Sequence, residues 1–135
     1  ELYVGKICFP GKGNNEMLKY FVEMKGAVPK KVLRKAAFKE KHFDRDENLR
    51  IAEVDKVTGK TMFRVFDNNT LSVNKTGHLE SMLNAVCVEH GGDDFERKKV
   101  RQLSDLLEKI FILDPERRIT AGECLQHPFI IDTSK

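Results

Sequence analysis

The sequence predicts a mainly α-helical fold that carries one small β-hairpin. Apolar residues recur at helical spacing in three stretches, residues 14–25, 79–90 and 100–113, which is typical of helices with one buried face. Residues 50–66 are instead rich in β-branched and aromatic side chains, as in a pair of short strands. No internal repeat or low-complexity linker separates these stretches, so we expect residues 1–135 to form one structural unit.

The first predicted helix begins after a break. Residues 9–11, Phe-Pro-Gly, cannot continue a helix, and Asn14 or Asn15 can cap a new one. Gly26 is expected to end this helix. The apolar positions repeat at i, i+1, i+4 and i+5, which predicts a surface helix with one apolar face. They are Met17, Leu18, Phe21 and Val22.

The segments on either side of the predicted strands are less regular. Residues 30–35 are expected to form a short helical turn after Pro29. Residues 38–48 are rich in charge and have no clear period. Residues 67–77 are polar and rich in turn-forming types, so we expect a loop there.

The β-hairpin is predicted from two apolar runs and the Thr58-Gly59 reversal between them. Residues 59–61, Gly-Lys-Thr, also resemble the end of a phosphate-binding P-loop. That motif needs a glycine five positions earlier, where Val54 stands, so a turn between strands is the favoured interpretation. The β-prone residues are Ile51, Val54, Val57, Met62, Phe63, Val65 and Phe66.

The longest helical stripe lies near the end of the sequence. Pro115 pushes Asp114 out of the α region, so this helix is expected to end near Leu113. Thr120 and Glu123 then have the spacing of a capping box, in which each side chain accepts a hydrogen bond from the other residue's backbone N–H. The stripe consists of Val100, Leu103, Leu106, Leu107, Ile110, Phe111 and Leu113.

Three residues near the last helix have side chains that could carry a function. Cys124 and His127 are three positions apart, as two metal ligands can be, but no further ligands stand at a recognisable spacing. A core cysteine and a capping histidine are therefore favoured. Arg118 follows a helix break, and periodicity leaves two possibilities open. It is either exposed or half-buried under the last helix, where it would need a carboxylate partner.

The composition argues against several classes of protein. With 24 basic and 21 acidic residues the net charge is +3, so the surface is mixed and no direct nucleic-acid ligand is expected. No apolar run approaches the roughly 18 residues that cross a bilayer, so no membrane interaction is expected. Three widely spaced cysteines without a C-x-x-C pair favour reduced thiols, which indicates a soluble intracellular protein.

The end of the sequence resembles the end of a eukaryotic protein-kinase domain. In that family a Leu-rich helix, an Asp-Pro break and an Arg-Ile-Thr sequence precede a short helix ending in His-Pro-Phe, and residues 107–120 and 125–129 are similar throughout. Residues 1–11 resemble the end of the long central helix and the following loop of the CMGC group. Within that group the chain most resembles the pre-mRNA-processing-four splicing kinases, relatives of the dual-specificity tyrosine-regulated kinases. That likeness rests on residues 9–12, 14–15, 17–19, 39–43, 53–58 and 97–100.

The resemblance implies a place for each part of the chain. Residues 1–135 would be the distal part of the helical C-terminal lobe, and residues 38–92 would include the insert that CMGC kinases carry. Arg118 would pair with the glutamate of an Ala-Pro-Glu activation-segment motif, which this sequence does not contain. The helix at residues 16–25 and the loop before it would face protein substrates. The candidate docking residues are Lys12, Lys19 and Lys25.

The resemblance also implies an activity. The parent would be a nuclear serine/threonine kinase that transfers the γ-phosphate of ATP, with Mg²⁺, to protein substrates such as splicing factors. The Gly-rich loop, His-Arg-Asp and Asp-Phe-Gly motifs of the family do not occur in this sequence, so no catalytic, cofactor-binding or metal residue is assigned here. ATP and Mg²⁺ would bind elsewhere, and the remainder of the kinase domain would be this segment's partner. The alternative is a non-catalytic helical interaction module or a pseudokinase lobe.

Overall fold

A computed structural model describes residues 1–66 and 78–133 of the chain. The protein is about 49% helical and contains a two-stranded antiparallel sheet, which confirms the predicted fold class. The chain divides into two compact units, and the expectation that residues 1–135 form one structural unit stays a prediction. Periodicity does not predict the division, because it shows which face of an element is buried but not which other elements bury it. We call Cys8–Lys75 the hairpin unit, and Glu1–Ile7 with Thr76–Lys135 the helical unit.

The hairpin unit opens with three helices, α1 (Asn14–Lys25), α2 (Lys30–Lys35) and α3 (Lys39–His42). Helix α1 ends as predicted at Gly26, whose φ of 82° is readily adopted by glycine. Its predicted start at an asparagine cap is wrong, since Gly13 occupies the N-cap position and no side chain caps the helix. Helix α3 lies in the charge-rich stretch where the sequence shows no period.

Asn15 does not cap α1 because its amide is bonded to a strand. Its Oδ1 accepts the N–H of Ala52 at 2.9 Å, and its Nδ2 donates to the carbonyl of Arg50 at 2.7 Å. The amide therefore pairs with the strand edge as a neighbouring peptide group would. This contact spans more than 30 residues of sequence, so no local pattern predicts it.

The predicted hairpin is confirmed by strands β1 (Leu49–Val54) and β2 (Thr61–Phe66), which pair antiparallel. In the turn, the Asp55 carboxylate accepts the N–H groups of Val57 and Thr58, both at 2.8 Å. These bonds stabilise the ionised carboxylate and lower the pKa of Asp55, the Thr58 N–H having the larger effect. Gly59 closes the turn with a φ of 67°, so Gly-Lys-Thr is part of a turn and not of a phosphate loop.

Buried apolar residues from α1, α2 and β1, with Phe43 directly after α3, form the core of the hairpin unit. Helix α1 contributes the apolar face that its spacing predicts. Leu18, Val28 and Phe66 pack against this core and are partly buried. The buried members are Val22, Leu33, Phe43, Leu49 and Ile51.

The helical unit contains α4 (His78–Glu89), α5 (Asp94–Ile110), α6 (Ala121–Leu125) and α7 (Pro128–Ile131). Helix α5 ends at Ile110, three residues before the predicted end. Its buried residues pack on α4, where Leu83, Cys87 and Val100 form the core. Residues 1–5 form one turn, closed by a 2.8 Å bond from the Gly5 N–H to the Glu1 carbonyl.

Capping boxes begin two of these helices. The predicted box at Thr120 and Glu123 is confirmed at the start of α6. A second box begins α5, where the Glu96 N–H donates to the Asp93 carboxylate at 2.8 Å and the Asp93 N–H donates to Glu96 at 3.2 Å. Our sequence reasoning missed it, although the Asp-x-x-Glu spacing is a readable signal. Of the described helices, none is both long enough and apolar enough to cross a bilayer.

Candidate functional site

The segment between α5 and α6 is a fixed turn that presents Arg118. Its anchor is Asp114, a polar residue whose side chain is buried. The Asp114 carboxylate accepts the N–H of Glu116 at 3.0 Å, and its backbone carbonyl accepts the N–H of Arg117 at 3.1 Å. With Pro115 restricting the chain between them, these bonds set the direction in which the next residues leave the turn.

Arg118 is exposed, so the possibility that it lies half-buried under the last helix is wrong. The reason is that α6 and α7 are short and leave the preceding turn uncovered. The guanidinium is nevertheless anchored, because its Nε donates to the carbonyl of Ile112 at 2.9 Å. Among the described residues, no carboxylate lies within ion-pair distance of Arg118.

A cleft of about 480 Å³ opens beside this guanidinium. Four other charged residues also line it, Lys109, Glu116, Arg117 and Glu123, and bonds within the chain engage Lys109 and Glu123. Lys109 donates to Asp105 at 2.6 Å, and Glu123 accepts the N–H and the hydroxyl of Thr120 at 2.8 and 2.7 Å. The bonds from Thr120, its backbone N–H first, lower the pKa of Glu123. The cleft is therefore suited to a carboxylate, which the two terminal nitrogens of an arginine bind as a fork.

A buried histidine holds α7 to α5. His127 Nδ1 accepts the N–H of Phe129 at 3.2 Å, which leaves the ring proton on Nε2, where Asp105 accepts it at 2.9 Å. The Lys109 ammonium donates to the same carboxylate oxygen. The Lys109 hydrogen bond has the largest effect and lowers the pKa of Asp105. Burial opposes it, and the weaker effect of the His127 hydrogen bond lowers this pKa further.

The capping role predicted for His127 is confirmed, since it is the N-cap of α7. It begins that last short helix instead of closing the one before it. Cys124 is partly buried. Within residues 1–66 and 78–133, no group of three potential metal-binding side chains comes together. The i, i+4 acid and base pair on α5, Asp105 and Lys109, is a sequence signal that our reasoning did not use.

The three candidate docking lysines do not share one face. Lys12 lies in the loop before α1 and is exposed, and its backbone N–H donates to Glu16 at 2.7 Å. Lys19 forms a loose ion pair with Glu23 at 3.9 Å. Lys25 is six residues further along, which places it about 120° around the helix axis from Lys19. Lys12 is exposed, whereas Lys19 and Lys25 are partly buried.

Comparisons with known proteins agree with the fold. No protein-family model matches the chain. The chain is 39% identical over 130 residues to the serine/threonine-protein kinase prpf4B of Dictyostelium discoideum, covering 96% of this chain and 15% of that protein. It is 36% identical over 132 residues to the serine/threonine-protein kinase prp4 of Schizosaccharomyces pombe, covering 97% and 26%. The dual specificity protein kinase CLK2 of Homo sapiens is 29% identical over 134 residues, covering 96% and 21%.

This helical chain with one hairpin aligns over nearly its whole length with part of each of these protein kinases, so it is similar to a segment of a kinase. The relatives include Prp4 kinases and CLK kinases, which supports a resemblance to the CMGC group. The chain spans between 15% and 26% of the length of the two Prp4-type relatives. These comparisons give no better support to a non-catalytic interaction module.

Proposed function

We propose that the chain is part of a serine/threonine protein kinase that transfers the γ-phosphate of ATP to protein substrates. The observation that carries this proposal is the similarity of 96% and 97% of the chain to two serine/threonine kinases. Phosphoryl transfer depends on groups that position ATP and Mg²⁺ and neutralise charge. The motifs that supply them do not occur in this sequence, so other residues of the complete polypeptide would bind both.

The role of this chain would be structural. Residues 1–135 would form the distal part of the helical C-terminal lobe, and the insert of the CMGC kinases would lie within residues 38–92. That insert assignment stays a prediction. Residues 38–66 of it lie in the hairpin unit and α4 lies in the helical unit, so the insert would contribute to both units.

Arg118 would join this segment to the activation segment of the kinase. Its proposed partner is the glutamate of an Ala-Pro-Glu motif elsewhere in the complete polypeptide. Three features support the pairing: the anchored Nε, the cleft beside the guanidinium and the lack of an ion-pair partner among the described residues. An arginine held in this way needs little reorganisation to bind a carboxylate.

The substrates would be proteins, pre-mRNA splicing factors among them, and the site of action would be the nucleus. This part of the proposal rests on the resemblance to the splicing kinases. The loop before α1 and α1 itself would face such substrates, with Lys12 and Lys19 and, at the far end of the helix, Lys25 as contacts for acidic groups. The exposure of Lys12 and the basic character of all three side chains support a docking role but do not select one substrate.

The activity is tested with the complete natural polypeptide, radiolabelled ATP, Mg²⁺ and recombinant splicing factors. We expect label on serine or threonine of the substrate, and loss of labelling when EDTA removes the metal. A variant that lacks the aspartate of the complete polypeptide's Asp-Phe-Gly motif is the matched control. A folded polypeptide that binds substrate but transfers no phosphate would favour the non-catalytic alternative.

The docking residues are tested with the double variant Lys12→Glu and Lys19→Glu. We expect the KM for a protein substrate to rise several-fold with little change in kcat, because only uniform binding is lost. Lys6→Glu, at an exposed position in the helical unit, is the matched control. An unchanged KM in the double variant would remove the docking assignment while leaving the kinase proposal intact.

A further inference from the structure

The two strands of the hairpin differ in what covers them. On β1, Leu49 and Ile51 are buried and the outer edge is closed by the Asn15 amide. On β2, every residue except Phe66 is exposed. No strand within residues 1–66 and 78–133 pairs with the other side of β2. For the described part of the chain, β2 is therefore an open sheet edge.

The register shows which backbone groups point out from that edge. The Asn15 side chain bonds the backbone of Arg50 and Ala52. The backbone N–H and C=O groups of the even-numbered residues of β1 therefore point away from β2. In agreement, the Asp55 N–H donates across the hairpin to the Lys60 carbonyl at 3.0 Å. Inward and outward residues alternate in an antiparallel ladder. The outward N–H and C=O groups of β2 therefore belong to Thr61, Phe63 and Val65.

The side chains of these residues form an apolar surface. Phe63 and Val65 are 58% and 50% exposed, and Val54, on the same face of β1, is 64% exposed. Arg50 lies over the Phe63 ring at 5.5 Å but leaves more than half of that side chain uncovered. We call Val54, Phe63 and Val65 the outer face of the hairpin.

The opposite face of the same edge carries two basic side chains, with Met62 between them and Glu53 of β1 opposite Met62. Because side chains alternate along a strand, Lys60 and Arg64 lie on the side away from the outer face. Both are exposed. Neither forms an ion pair with a carboxylate in the part of the chain that the structure describes.

We propose that the open edge of β2 binds an extended acidic segment of a partner protein, which adds to the sheet as a third, antiparallel strand. Backbone bonds to Thr61, Phe63 and Val65 would hold such a strand. Its apolar side chains would extend the outer face, and its alternate acidic side chains would lie beside Lys60 and Arg64. The charge therefore selects a partner whose sequence alternates apolar and acidic residues.

A second copy of this chain fits the edge less well. Two antiparallel β2 strands would bring the Arg64 and Lys60 side chains of both copies onto one face, where like charges repel. The proposed interface shares no residue with the cleft at Arg118 or with the candidate docking lysines. It does not depend on phosphoryl transfer.

The edge is tested with the complete natural polypeptide and a fluorescent peptide of alternating valine and glutamate, about eight residues long. Opposite residues of an antiparallel pair share a face, so the valine amides of the bound peptide would point at β2 and the glutamate amides away from it. We expect N-methylation of the valine amides to weaken binding about tenfold or more, and N-methylation of the glutamate amides to have little effect. Equal affinities for all three peptides would contradict the proposal.

The charge is tested with a valine and lysine peptide and with the variant Arg64→Glu. We expect the natural protein to bind the acidic peptide about tenfold or more tightly than the basic one, and Arg64→Glu to reverse that preference. Arg45→Glu, at an exposed position outside the hairpin, should leave it unchanged. Equal binding of both peptides would overturn the proposal, as would sedimentation showing that the edge is occupied by a second copy.

Discussion

At the scale of single residues, His127 shows how one side chain can position a helix. Its two ring nitrogens bond to different elements, Nδ1 to the start of α7 and Nε2 to Asp105 on α5. Burial of the ring makes both bonds costly to lose, since an unpaired polar atom would remain in an apolar environment. We infer that His127 fixes the direction in which α7 leaves the preceding turn.

We predict that His127→Ala loosens α7 more than His127→Asn does. Asparagine is a good N-cap and can still accept the Phe129 N–H, whereas alanine cannot, a difference of about 1 kcal/mol. Hydrogen exchange at Ile131, whose amide bonds to the His127 carbonyl, measures the opening free energy in the complete polypeptide. Equal protection in the two variants would show that the imidazole does not act as a cap.

At the same scale, the limits of sequence reasoning are visible in two residues. Thr120 was correctly predicted as a cap because a capping box is a contact between residues three apart. Asn15 was wrongly predicted as one because its amide bonds to a strand more than 30 residues away. The environment of Arg118 could be predicted only in part. Its position after a helix break was readable, but its exposure depends on how little of the turn α6 and α7 cover.

At the scale of elements, the packing of α4 on α5 depends on a glycine. A Cβ on Gly92 would lie 2.4 Å from the Cys87 sulfur and 2.9 Å from the Glu96 carboxylate. Both distances are far shorter than a van der Waals contact. The chain can pass from one helix to the next at this point only because glycine has no side chain.

We predict that Gly92→Ala destabilises the pairing of α4 and α5 by about 1–3 kcal/mol, the usual cost of an overpacked site. Gly122→Ala is the matched control, because nothing lies within 4 Å of a Cβ there. Because Gly122 lies within helix α6, alanine at this position should leave the free energy of unfolding unchanged or raise it by up to about 1 kcal/mol. Hydrogen exchange at the amides of α4 measures the effect of Gly92→Ala on stability, and exchange at the amides of α6 measures the effect of Gly122→Ala. A stabilised Gly92→Ala protein would contradict the packing described here.

Element types were easier to predict than their partners. The helical stripe of α5, the one-faced helix α1 and the hairpin follow from local periodicity, which records the burial of one face. The sequence of the short helix α3 shows no such periodicity, since none of its residues is buried. Neither the division into two units nor the open edge of β2 is a local property. The cleft at Arg118 also depends on groups that only the folded chain brings together.

At the scale of the whole molecule, each unit has a small core and much apolar surface remains exposed. In the helical unit, Leu2, Ile7, Val88 and Leu125 are all more than 60% exposed. In the proposed kinase these side chains would pack against the rest of the lobe. The 135 residues alone would present them to water.

We therefore predict that the 135-residue chain on its own unfolds over a broad temperature range and binds a hydrophobic dye such as ANS. Few buried residues in each unit leave little cooperativity. Calorimetry with dye fluorescence, at concentrations where sedimentation shows a monomer, measures both properties. A sharp, cooperative transition of the monomer without dye binding would contradict this prediction.

The central claim is that Arg118 joins this segment to the activation segment of an active kinase. The most direct test is the rate of phosphate transfer to a protein substrate by the complete polypeptide carrying Arg118→Ala, with Arg117→Ala as its exposed neighbour and control. Arg118→Ala would leave the glutamate of the activation segment without its proposed partner, so we predict that this variant loses most of its activity and that Arg117→Ala loses little. Equal activity of both variants and the natural protein would contradict the account.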